Sequence, residues 1–181
     1  MKFEETILKG CYLIHPEVFK DERGSFFRTF CEEEFKGTDF IGKWVQTNHS
    51  ITSKKGSIRG LHYQNPPFME TKLIRCVKGS VFDVIVDLRK DSSTFLKHFS
   101  VELSHKNQFS LLVPEGCAHG FQTLEDDCHL IYYHSRIYTP GHEAGIKYND
   151  ELVSIKWPLN VTEISERDSK FEKLTRSFTG I

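Results

Sequence analysis

Alanine is scarce in this chain, and methionine and tryptophan occur only twice each, against fifteen phenylalanines. That balance argues against a helical bundle and for β-rich packing. No apolar run approaches membrane-spanning length, and no opening stretch reads as a signal peptide. Lysine plus arginine number 24 and aspartate plus glutamate 25, so there is no net surplus to attract nucleic acid. No basic run marks a nucleic-acid arm or a polybasic membrane patch, so any preference for an anion must come from local charge. The five cysteines, Cys11, Cys31, Cys76, Cys117 and Cys128, are odd in number and contain no CxxC pair. Neither a disulfide framework nor a zinc knuckle is indicated, and a reduced, cytoplasmic setting is expected. Linkers, repeats and low-complexity segments are lacking too. The 181 residues are therefore expected to fold as one domain, 1–181.

What recurs instead is a short β-run closed by turn residues. Residues 7–14 read as a strand, Asp21-Glu22-Arg23-Gly24 as a turn, and 25–30 as the next strand. Residues 32–36, stopped by Gly37, read as a short helix. From 81 to 88, Phe82, Val84, Val86 and Leu88 share one face while Asp83 and Asp87 fall on the other. Lys78-Gly79 offers a tight turn into that strand. Phe99, Val101 and Leu103 alternate with Ser100, Glu102 and Ser104. Many short strands with regular turns predict an antiparallel sandwich or barrel of the jelly-roll type. After Trp157-Pro158 the pattern changes, and 163–174 reads as helix, with Ser165 as its cap and Asp168 three residues on.

Four spellings put ionisable groups inside these β-runs: Arg59-Gly60-Leu61-His62-Tyr63-Gln64, Lys72-Leu73-Ile74-Arg75-Cys76, Pro114-Glu115-Gly116-Cys117-Ala118-His119-Gly120-Phe121, and residues 130–138. In the last, Leu130, Tyr132, His134, Arg136 and Tyr138 share a face by the two-residue period. Gln46, Asn48 and Ser50 share a face in the same way. A polar face on one strand has an ordinary reading, as the solvent side of an antiparallel sheet. The same habit on several strands points to a polar lumen, because burying such groups costs free energy unless they are paired. Singly, each residue has a bland alternative. His62 and His119 read as structural histidines, Lys72 as a solvated edge charge, and Asp168 as a helix-start carboxylate. Gly60 beside His62 suggests a bulged or closely approached backbone.

Taken as an ordered set, these motifs resemble the dTDP-4-dehydrorhamnose 3,5-epimerase family, which are jelly-roll cupins. The likeness runs from Asp21-Glu22-Arg23-Gly24 to Tyr148-Asn149-Asp150 and Trp157-Pro158. The resemblance implies an isomerase that inverts the carbons flanking the ketone of a dTDP-linked 4-keto-6-deoxyhexose, in deoxysugar and polysaccharide precursor biosynthesis. It assigns His62 as base, Asp168 as its orienting carboxylate, Tyr132 as acid and Lys72 as stabiliser of the enolate oxygen. Arg23 and Arg59 match diphosphate contacts, and Phe26, Gln46, Asn48, His119 and Tyr138 match substrate-pocket positions. The family further implies a homodimer in which the N-terminal strand carrying Arg23 and Phe26 reaches into the neighbouring subunit. The element from Pro114 to His119 also looks like the second cupin motif. The first would bring an HxH pair and a glutamate, but here a single His62 is followed by Tyr63 and Gln64. No metal or cofactor is therefore expected.

Three positions depart from the family pattern. Arg28 follows Ser25-Phe26-Phe27 where an acid is common, Ile137 precedes Tyr138 where a tyrosine pair is usual, and Tyr133 stands where lysine is common. None belongs to the proton-transfer set, so the nucleotide and sugar are what they leave open. The rival readings are an epimerase acting at C3 alone, a non-catalytic sugar-nucleotide-binding cupin, and a metal cupin.

Overall fold

The computed structural model describes residues 1–40 and 42–181. Its strands are β1 (Lys2–Glu5), β2 (Tyr12–His15), β3 (Val18–Asp21), β4 (Gly24–Phe27), β5 (Gln46–Thr52), β6 (Ile58–Gln64), β7 (Lys72–Lys78), β8 (Ser80–Asp87), β9 (His98–Ser104), β10 (Ser110–Val113), β11 (Cys117–Thr123), β12 (Cys128–His134) and β13 (Glu143–Gly145). Two one-turn helices, α1 (Glu32–Phe35) and α2 (Glu166–Ser169), lie near opposite ends of the chain. A six-stranded sheet has the order β1-β2-β10-β7-β12-β5, and a five-stranded sheet the order β13-β6-β11-β8-β9. All named pairs are antiparallel. The two sheets pack face to face as a jelly roll, the cupin architecture. No helix among the described residues is long and apolar enough to cross a membrane.

The alternation in β8 explains why this sheet is covered on both sides. Val81 and Ile85 point into the cluster between the sheets with Ile74, Leu111, Phe121 and Leu130. Val84 and Val86 point the other way, onto Leu61, Ala118, Ile146 and Val153, where Trp157, Leu174 and Phe178 close over them. Asp150 holds that covering segment by accepting the backbone N–H groups of Leu152, Val153 and Leu174, and Trp157 Nε1 donates to the Tyr148 carbonyl. The Tyr148-Asn149-Asp150 and Trp157-Pro158 spellings are thus structural staples. A third cluster around Phe35 and Leu73, with Phe30, Phe40 and Trp44, covers the outside of the six-stranded sheet.

Several boundaries differ from the sequence reading. The expected strand at 7–14 is broken: Cys11 N–H donates to the Leu8 carbonyl, and Gly10 sits at φ +77°. That turn separates β1 from β2, which then pair with each other. The strand expected at 25–30 stops at Phe27. Gly79 does make a turn, at φ +74°, but not a hairpin, because β7 and β8 lie in different sheets. The helix expected over 163–174 shrinks to α2. Ser165 Oγ accepts the Asp168 N–H, as its capping role predicts. Beyond Ser169 the chain leaves the helix so that Phe171 can pack where a Cβ on Gly145 would stand. The strand expected over 130–138 ends at His134, and Ser135 N–H bonds the Thr71 carbonyl instead.

Candidate active site

Between the sheets lies a pocket of about 300 Å³ lined by His62, Lys72, His119 and Tyr132 together with Asn48, Arg59, Gln64, Glu70, His134, Tyr138, Glu143, Arg167 and Phe171. A second groove of about 870 Å³, along 162–168, shares Arg59, His62 and Arg167 with it. The two sheets contribute different chemistry. His62 and His119 are direct neighbours on β6 and β11 of the five-stranded sheet. Tyr132 and Asn48 are neighbours on β12 and β5 of the facing sheet, and Lys72, His134 and Gln46 form a row across β7, β12 and β5. Directly paired residues share a face, so the polar faces read from these strands do point inward.

The strand carrying His62 is shaped by two glycines. Gly60, at φ +120°, comes so close to β11 that a Cβ would sit 2.6 Å from Gly120 Cα. The β6–β11 register slips between His119 and Phe121, a bulge that re-aims the side chains beside it. Asp168 then arrives from α2. Its Oδ1 lies 2.8 Å from His62 Nε2, and its Oδ2 accepts the Gly60 N–H at 3.0 Å. Burial opposes ionisation of Asp168, but the bond and charge of His62 and the Gly60 N–H outweigh it and bring the carboxyl down to about 2. An ionised Asp168, the nearer partner, holds the proton on Nε2 although Arg167 Nη2 lies 3.1 Å from the same nitrogen, and so leaves Nδ1 as the basic nitrogen. Burial lowers the His62 pKa; Asp168 pulls against this, while Lys72 and Arg167 reinforce it. His62 is therefore a neutral base at neutral pH.

Opposite it, burial, strengthened by the nearby Asp83 carboxyl, raises the Tyr132 phenol well above its ordinary value of 10.0. Tyr132 is thus a protonated donor. Its ring stands edge-on to His119 at 5.9 Å between centroids. His119 Nε2 contacts both oxygens of Asp83 at 2.9 Å. Lys72 Nζ donates to the His62 carbonyl at 3.3 Å and pairs with Glu70 Oε1 at 3.2 Å. Arg59 is braced by Thr52 Oγ1 and the Ile51 carbonyl. Among the described residues no cluster of three or more His, Cys, Asp or Glu side chains is arranged to hold a metal.

Of the expected site residues, His62, Lys72, Tyr132 and Asp168 meet at this pocket, as do Asn48, Arg59, His119 and Tyr138. Gln46 adjoins it through Asn48. Arg23 and Phe26 do not join it within one chain. They sit on the β3–β4 hairpin, Arg23 paired with Asp21 and Phe26 76% exposed. Arg136, expected on the inward face, is exposed because the strand ends before it. Arg28 pairs with Glu34, Tyr133 faces outward against Trp44, and Ile137 is exposed. All three departures therefore lie off the pocket wall. Sequence reasoning missed Glu70, Asp83 and Arg167. Each carried a signal: Glu70 is two residues before Lys72, Asp83 lies on the inner parity of its strand, and Arg167 adjoins Asp168.

The model of the dTDP-4-dehydrorhamnose 3,5-epimerase family matches residues 5–176. A Shigella flexneri protein of that name is 41% identical over 176 residues, covering 96% of each chain. The crystal structure of the Elizabethkingia anophelis dTDP-4-dehydrorhamnose 3,5-epimerase superposes with a TM-score of 0.93 at 39% identity, covering 98% of both chains. That from Bacillus anthracis, with TDP and PPi bound, gives 0.92 at 38% identity over 96% of this chain and 99% of the other. With the motifs meeting in one pocket and the likeness covering nearly the whole chain, the chain belongs to the dTDP-4-dehydrorhamnose 3,5-epimerase family.

Proposed function

We propose that the chain is an isomerase that inverts C3 and C5 of a dTDP-linked 4-keto-6-deoxyhexose without a cofactor. One observation carries the reading: a neutral, carboxylate-oriented histidine on one sheet faces a protonated tyrosine on the other. Inversion next to a ketone needs a base on one side of a carbon and an acid on the other. His62 Nδ1 takes the proton α to the C4 carbonyl, and the electron pair moves onto the carbonyl oxygen. Lys72, a buried cation, stabilises that enolate. Tyr132 returns a proton from the opposite face as the carbonyl re-forms, so nothing is oxidised or reduced. His62 then releases its proton to solvent and Tyr132 takes one back, and the process repeats at the second carbon. Arg59 and Arg167, at the junction of the two grooves, take the diphosphate, whose oxygens match paired guanidinium donors. Tyr138 at the rim, with Gln46, Asn48 and His119, completes the substrate contacts.

The active form is a homodimer of single 1–181 domains in the cytoplasm. Its support is the β3–β4 hairpin, which carries Arg23 beside the exposed Phe19 and Phe26 and has no place in the pocket of its own chain. Exchange of this N-terminal region would bring both residues to the partner's substrate. Sedimentation equilibrium at the monomer mass would overturn this part.

The decisive experiment incubates the protein with dTDP-4-keto-6-deoxyglucose in deuterated water. Deuterium at both C3 and C5 is expected, with inversion at both. Label at C3 alone would mean a C3-only epimerase. Binding with no label at either carbon would mean a non-catalytic binding cupin.

A further inference from the structure

A chain of polar groups runs along the wall of the six-stranded sheet and ends on Lys72. It begins at the rim, where the Tyr138 backbone N–H donates to Gln46 Oε1 at 2.9 Å. A backbone N–H can only donate, so this contact fixes Gln46 with its amide nitrogen facing inward. Gln46 Nε2 then donates to Asn48 Oδ1 at 3.2 Å, which turns Asn48 Nδ2 toward His134 Nε2, also at 3.2 Å. With Nε2 accepting, the His134 proton resides on Nδ1, 2.9 Å from Glu70 Oε2. The other Glu70 oxygen meets Lys72 Nζ at 3.2 Å. Every donor in the series points the same way, from the Tyr138 loop toward the Glu70 carboxylate.

The carboxylate at its end is nearly sealed. The Glu70 and Lys72 side chains are each 8% exposed, and His134 is 11% exposed. A charge in such a place persists only while paired and hydrogen-bonded on both oxygens. Burial works against ionisation of Glu70, yet its bond to His134 and the Lys72 charge leave the carboxyl lowered. Lys72 in turn has three N–H donors. One goes to Glu70 and one to the His62 carbonyl, which leaves one for a substrate oxygen. Where that last N–H points follows from where the first two are tied.

From this geometry we infer that Glu70, oriented by His134, is a positioning residue that holds the Lys72 ammonium for the enolate oxygen. The inference rests on the role given to Lys72 above. It also links the two ends of the substrate site, since the relay begins at the loop that carries Tyr138. Neither Glu70 nor His134 needs to touch the sugar.

The test compares Glu70→Ala, Glu70→Gln and His134→Ala, in the wild-type and Lys72→Ala backgrounds, by the rate of deuterium uptake from solvent. Glu70→Ala should lower kcat about tenfold or more, as displaced catalytic groups do, while KM moves by less than about threefold. Glu70→Gln keeps one acceptor oxygen where the relay and Lys72 supply two donors, so it should restore only part of the rate. In the Lys72→Ala background Glu70→Ala should cost nothing further, because a residue acting through another has no effect once that other is gone. Should Glu70→Ala not fold, His134→Ala reads the relay from its other end, with a smaller loss that also vanishes without Lys72. Equal losses in both backgrounds would show a merely structural role and overturn the inference, as would an unchanged kcat. If Lys72→Ala itself exchanges at the wild-type rate, the assigned role of Lys72 falls and this inference with it. If Lys72→Ala is slow but Glu70→Ala is not, only the inference falls.

Discussion

Two histidine–carboxylate pairs stand side by side in this protein, on adjacent strands with His62 and His119 in register, yet their surroundings differ. The His119–Asp83 pair is sealed, its side chains 5% and 0% exposed. The His62–Asp168 pair opens at the histidine, which is 32% exposed, while its carboxylate is 3% exposed. Burial pushes the Asp83 carboxyl up, in spite of the pull of His119 and Lys72. Burial opposes Asp168 in the same way, but there a backbone N–H and the His62 bond hold the carboxyl at about 2. The same two residue types thus give a firmly ionised orienter with an accessible base in one case, and a locked pocket wall in the other. Both rings line the pocket, so the difference lies in who else bonds the carboxylate and how far each ring is exposed.

Breaking the open pair should have the largest effect. His62→Ala removes the base, and deuterium exchange at C3 and C5 should fall by about a thousandfold, within the usual range for a general base. Unchanged exchange would remove His62 from the mechanism. Tyr132→Phe acts on the other face. Product formation should fall about a hundredfold, while substrate recovered from deuterated water still carries label, because His62 continues to remove and return protons. Equal loss of label and product would mean that Tyr132 does not act as a separate acid.

Asp168→Asn tests what sets the open pair apart. The amide keeps the shape but loses the charge that fixes the tautomer, so kcat should fall by about a hundredfold or more. Its pH profile is the sharper readout. Asp168 is the influence that raises the His62 pKa against burial, so without it the pKa falls further. The acid limb of kcat/KM should therefore move to lower pH even as the maximum drops. Asp83→Asn, in the sealed pair, should move that limb far less, since Asp83 is not among the largest influences on His62. A limb that moves equally in both variants would erase the distinction between the pairs.

Strand parity was enough to group Gln46 with Asn48 and Tyr132 with His134 on shared faces, because the two-residue period holds wherever a ladder is regular, and the same habit on several strands pointed them inward. It failed at Arg136, where the ladder had already ended at His134 and a loop took over. Parity along β6 says little about His62, since the bulge opposite Gly60 resets its direction; only the glycine itself hinted at that. The His62–Asp168 contact joins residues 106 positions apart, a distance that no periodicity spans, and came into view through family resemblance. Asp83 lay in plain sight on the polar side of β8, but a sequence does not say that His119 will arrive from another strand. Glu70 was hidden for a different reason: it lies just outside β7, where its shared parity with Lys72 has no ladder to enforce it. The jelly roll itself was legible because its strands are short and alternating, whereas the tail after 163 reads as helix until Phe171 is drawn down to the sheet.

The smallest expected effect is on stability, and its sign differs between the pairs. Asp168 has a folded pKa of about 2, below its ordinary 3.8, so it stabilises the fold above pH 3.8, and that contribution is lost as pH falls toward 2. At 1.36 kcal/mol per unit the contribution is about 2 kcal/mol. In urea titrations the gap between the wild type and Asp168→Asn should therefore narrow by about 2 kcal/mol on going from pH 4 to pH 2. Asp83 runs the other way. Its folded pKa is raised, so its contribution is present below 3.8 and is lost as pH climbs through the folded value. The wild type should lose ground to Asp83→Asn as pH rises above about 4, the opposite slope. Asp87, also at about 2, is common to all three proteins and cancels from both differences. Parallel slopes for the two variants would mean that the carboxylates share one environment, and the contrast between an open and a sealed pair would no longer support His62 over His119 as the proposed base.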